Sequence, residues 1–108
     1  MIDKEELASN MIRAAVDILG ERWPDVADYA EAEFRKLAQM IIDIERLKMS
    51  DRIDATEARA LVEIHKNTTK TVLLCVEGLT LLNVEQAVNA AMDSVRRQVN
   101  ESLAFRLL

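Results

Sequence analysis

TVLLCVEGLTLLNVEQ, residues 71–86, is the stretch whose reading decides the fold. It reads as a membrane span, a buried strand, the middle of one long helix, or a joint between two helices. A span needs about 20 mostly apolar residues, and Glu77, Asn83, Glu85, Gln86 and Asn89 interrupt every window of that length. A strand would have no pairing partner between such strongly helical flanks. On a wheel of about 100° per residue, the apolar arc before Leu82 is centred on Leu61 and Val72. From Val84 onward it is made by Val84, Val88, Ala91, Val95 and Val99, rotated by roughly 150°. The stripe changes sides near Gly78. A break there is favoured: Gly78 suits the left-handed position after a helix end, and Asn83 followed by Gln86 can start another helix.

Outward from that joint the chain reads as helix throughout. Two Gly and one Pro in 108 residues are few, and plentiful Ala, Leu, Glu, Arg and Met favour helices with short connections. Asp3 and Glu6 open a first helix at 4–19, with Gly20 just past its end. Its apolar side is Leu7, Met11, Ala14, Ala15, Ile18 and Leu19. A turn at 21–25 leads to a second helix at 24–49, started by Pro24. Its stripe runs Val26, Tyr29, Ala30, Phe34, Leu37, Met40, Ile41, Ile44 and Leu47. Asp54 and Glu57 repeat the capping pattern and open a third helix at 55–77. Its expected inner face is Leu61, Ile64, Thr68, Val72, Cys75, Leu79 and Leu82. The fourth spans 83–104. The expectation is a single all-α domain over residues 1–108, an antiparallel four-helix bundle. The alternative has three helices, the third very long and paired with a second subunit in a dimer.

Composition limits the function classes. A formal charge of −5, with 14 basic residues scattered among 19 acidic ones, lacks the basic footprint of a nucleic-acid binder. Cys75 is alone, so the monomer has neither an internal disulfide nor a multi-cysteine metal site. The start, Met1-Ile2-Asp3-Lys4, lacks the order of a signal peptide, and a cytoplasmic location follows as the default. Gly20 and Gly78 are isolated and form no phosphate loop. No Ser or Cys is tied to a base by a known motif. The expectation is no enzyme, no cofactor, no nucleic acid and no membrane.

Two polar residues fall inside apolar stripes. Glu33 projects among Ala30, Phe34, Leu37 and Met40, and His65, the one histidine, falls between Leu61 and Val72. A buried carboxylate requires a partner, and antiparallel neighbours would bring the two together. One reading is a metal site of the helical-bundle kind, which uses a Glu and a Glu-x-x-His; here Val62 stands where the second Glu would be. The plainer reading is a structural pair that sets helix register. Glu45 and Lys48 are expected at the rim, their stems covering the core. The leading functional reading is a small non-enzymatic interaction or assembly protein, a homodimer acting through helix faces, with Leu79, Leu82 and Phe105 at the interface. Its alternatives are metal binding at Glu33 and His65, and an apolar ligand pocket lined by Met11, Phe34, Leu37 and Met40.

Overall fold

The computed structural model describes residues 2–76, 78–103 and 105–108; the expected helix ends at Glu77 and Ala104 lie outside the described residues. The chain is all-α and 85% helical, with no strand among the described residues. Helix α1 spans Lys4–Leu19, a 3-10 turn covers Gly20–Arg22, and α2 spans Trp23–Met49. Helix α3 is Ala55–Leu74 and α4 is Leu81–Leu103.

The count of four separate helices is corrected by this structure. From Lys4 to Met49 the helical run is unbroken over 46 residues, so three helices result, the first of them a joined one. The reason lies in Pro24. It sits in the first turn of α2, where a missing N–H leaves no helical bond unmade, so the expected turn at 21–25 is wound into helix. The joined helix still folds back on itself. Arg35 Nη1 lies 3.1 Å from Glu5 Oε2, although a straight helix would hold residues thirty apart at about 45 Å. The fold occurs at Gly20, whose φ of 52° and ψ of −119° belong to a region that residues with a Cβ seldom enter.

The long third helix of the alternative reading is absent: α3 stops at Leu74, and α4 begins at Leu81. Gly78, at φ 92°, takes the left-handed position expected of it. Asn83 does not cap α4 from outside, however. Thr80 stands at that position, its hydroxyl accepting the Asn83 N–H at 3.2 Å while Asn83 Oδ1 accepts the Thr80 N–H at 3.3 Å. This is the reciprocal box of a helix start, shifted three residues upstream of the expected one. Asp54 and Glu57 cap α3 as expected, with both bonds of the box present.

The core is made by the inner faces of all the helical segments. Leu7, Ala8, Met11, Ala15 and Leu19 of α1 are buried against the Val84, Ala87, Val88, Ala91, Val95 and Val99 face of α4. Small side chains at Ala8, Ala15, Ala87 and Ala91 let these two axes approach closely, and this is the most extensive pairing in the molecule. The two helices are antiparallel: Ser94 Oγ reaches Asn10 O at 3.3 Å, and Arg22 Nη1 reaches Asn83 Oδ1 at 2.9 Å. Phe34, Leu37, Ile41 and Ile44 fill the space from α2.

Helix α3 is rotated from expectation. Its buried residues are Ala58, Val62, Thr69 and Leu73, while Ile64, Thr68 and Cys75 face outward. Apolar side chains occupy two adjacent sides of this helix, and its neighbours choose which side is covered. Glu85 of α4 meets Lys70 at 3.8 Å, and α2 packs beside His65 and Thr69.

Gly20 offers a direct check on the folded joint. A Cβ built there meets no atom within 4 Å, so Gly20→Ala adds backbone strain without a clash. The expected loss is about 1–3 kcal/mol in urea unfolding, with an unchanged helical far-UV spectrum.

Candidate functional site

Helices α2 and α3 bring Glu33 and His65 to one small cleft of about 200 Å³, shared with Lys36, Met40, Thr68 and Thr69. The two residues border the same cleft, and the partner that Glu33 holds is Lys36 rather than His65. Glu33 is buried at 8% exposure, and its Oε2 accepts from Lys36 Nζ at 2.9 Å. That ammonium lies one turn along the same helix, with its side chain 72% exposed. The carboxylate thus reaches the solvent edge of the stripe, where its charge is compensated. Thr69 Oγ1 donates to the His65 carbonyl at 3.1 Å. Among the described residues no group of three His, Cys, Asp or Glu side chains is placed to hold a metal ion. The cleft supplies two ligand types and an ammonium that competes for one of them.

The residues nominated for a subunit interface separate. Leu82 is 64% exposed, and Leu81 beside it and Leu74 are exposed as well. Leu79 is half-buried against the core. Phe105 is also half-buried and packed on the core, with Lys48 Nζ 5.2 Å and the Arg59 guanidinium carbon 5.6 Å from the ring centroid. Asn100 anchors the segment that follows, its Oδ1 accepting the Leu107 and Leu108 N–H groups at 2.9 Å each. Arg59 Nε donates to the Arg106 carbonyl at 2.8 Å. The C-terminal residues therefore pack on their own chain, and Phe105 is a contact within it.

Two further expectations change. Met11, Phe34 and Leu37 are buried at 0%, 0% and 2% exposure and belong to the hydrophobic core; Leu37 and Met40 border the small cleft above. Glu45 is not a rim residue. It is 4% exposed, and its Oε2 accepts from Ser102 Oγ at 3.0 Å. Periodicity does hold the signal for this: Glu45 stands one turn from both Ile41 and Ile42, on the core side of α2.

On α3 the outward face has a distinct chemistry. Ile64 is 56% exposed, and Ala60, Leu61, Asn67, Thr68, Thr71, Val72 and Cys75 surround it at helical spacing. Between Ala60 and Cys75 no charged residue falls in this sector; Glu57, two turns before Ile64 on the same side, is held in the cap of α3. Glu63, Lys66 and Lys70 lie on the other side, where Lys66 pairs with Glu63 at 3.0 Å and Lys70 with Glu85. The hydroxyls of the sector bond back to their own helix: Thr68 to the Ile64 carbonyl and Thr71 to the Asn67 carbonyl, both at 2.9 Å. No helix among the described residues is long and apolar enough to cross a membrane. No protein-family model matches this chain, and no curated protein or solved structure matches it either.

The assignment of Phe105 to the chain's own core is measurable. Phe105→Ala removes half-buried ring area and two cation contacts, for an expected loss of about 2 kcal/mol in chemical denaturation. Light scattering should show the same molar mass for this variant as for the parent chain.

Proposed function

We propose that this chain is a non-enzymatic assembly protein that pairs with a second copy of itself through the outward face of α3. The observation that carries this reading is the state of the hydroxyls around Ile64. Desolvating a polar group costs free energy when it loses its water partners unreplaced. Thr68 and Thr71 already hold internal partners, so a covering helix strands no hydroxyl donor on this face. An uncharged stripe also meets its own copy across a two-fold axis without opposing like charges, the condition for a self-complementary contact.

Size sets the strength. The uncharged stripe from Ala60 to Cys75 is about 24 Å long and roughly 10 Å wide, some 240 Å² in all. Stable interfaces bury about 800 Å² per partner. Leu74, Leu81 and Leu82, exposed at the end where α3 meets α4, add to the face without reaching that value. The dimer expected is therefore weak and in exchange with monomer.

Light scattering across a dilution series tests this reading. The expected result is a molar mass that falls from dimer to monomer through the micromolar range. Ile64→Glu and Leu82→Glu should each hold the chain monomeric at every concentration. Both positions are exposed, so helicity and the unfolding midpoint should change little, within about 0.5 kcal/mol. A parent chain that is monomeric throughout would overturn the proposal, as would a dimer that neither substitution weakens.

A further inference from the structure

We infer that the cleft between Ile2, α2 and the last turn of α4 is a binding site for a small alkylammonium compound, with its ammonium group on Glu45. This site stands apart from the outward face of α3. Its volume is about 390 Å³, within the range of about 300–1,000 Å³ typical of small-molecule sites. Its walls are Ile2, Ile42 and Met49, and its polar groups converge at Glu45 and Ser102.

Glu45 carries the argument. Its side chain belongs to a residue only 4% exposed, yet among the described residues it has no ion-pair partner. Its one hydrogen bond among the described residues comes from the Ser102 hydroxyl at 3.0 Å, whereas a carboxylate has about four acceptor positions. Its second oxygen opens on the cleft, since among the described residues no fully buried side-chain oxygen or nitrogen lacks a partner. Arg46 also borders the cleft, but it follows Glu45 directly on the helix and is exposed, outside ion-pair distance. Its charge is spent largely in water, where screening is strong.

A primary ammonium fits what remains. Its three donors match the free carboxylate positions and the Ser102 oxygen, and an attached alkyl chain would cover Ile2, Ile42 and Met49. An anion would meet Glu45 with like charge. A neutral alcohol would leave the carboxylate without a counter-charge. The net charge of −5 on the chain favours approach of the cation.

The test is a titration of the full chain, ¹³C-labelled at Ile and Met methyls, with hexylammonium, hexanol and hexanoate in parallel. Hexylammonium should shift the methyl signals of Ile2, Ile42 and Met49, and the other two probes should not. Glu45→Gln keeps the shape and removes the charge, and should weaken hexylammonium binding by about tenfold or more. Met49→Lys is a second, independent variant at an exposed position. It places an ammonium four residues after Glu45, the favoured order for an ion pair on a helix. That variant should no longer bind hexylammonium and should melt at a higher temperature than the parent. Equal shifts with hexanol, undiminished binding by Glu45→Gln, or a Met49→Lys chain that binds as before would each overturn the assignment.

Discussion

The most extensive contact in this molecule joins the two segments farthest apart in sequence. Helix α4 lays a face of valine and alanine on the alanine-bearing face of α1, and every other element is held in the loop between them. The pairing rests on size. Alanines at 8, 15, 87 and 91 let the helix axes approach, and the valines at 84, 88, 95 and 99 fill the spaces left beside them. Each fully buried valine contributes roughly 1.5–3 kcal/mol relative to exposure. Closing so long a loop costs only a little more than closing a short one. Once the closure is made, α2 and α3 have a fixed frame to complete.

That frame explains where polar groups end up. Helix α2 carries two buried carboxylates, Glu33 and Glu45. Glu33 is compensated one turn away by Lys36, an ammonium with ready access to solvent. Glu45 faces the ends of α4, where the neighbouring side chain is a serine and not a cation. The two residues have nearly the same exposure, 8% and 4%, and differ in what lies beside them. One forms a satisfied edge of the core and the other a polar floor beneath an apolar cleft.

Much of the local structure was legible from residue patterns. The capping box at Asp54 and Glu57, the left-handed Gly78 and the valine face of α4 all depend on chemistry within a few residues, and all are found. The burial of Glu33 was legible too, because a strongly amphipathic helix leaves little freedom about what its stripe contains. The joint at residues 20–24 was not. Glycine followed by proline marks a turn, but these residues also allow a tight helical reversal, and the packing of α1 on α2 selects it. Phe105 was nominated for a contact between chains because an apolar end needs cover. Lys48, Arg59 and Asn100 provide that cover within the chain, from three separate helices.

Helix α3 separates the two kinds of information. Its sequence by itself determined a helix, a start at Asp54, and apolar groups at Leu61, Ile64, Val72 and Cys75, because these follow from propensity, capping and a 3.6-residue period. It also carried a second set, Ala58, Val62, Thr69 and Leu73, one sector around the wheel. Periodicity describes each set relative to the helix axis and has no reference to what stands beside it. Only the tertiary structure decided which set is inside. With α2 and α4 already placed by their own larger apolar faces, the free energy of burial is greatest when α3 presents Val62 and Leu73 to both. Ile64 and Cys75 are then left outward, on a surface whose hydroxyls are bonded to their own backbone.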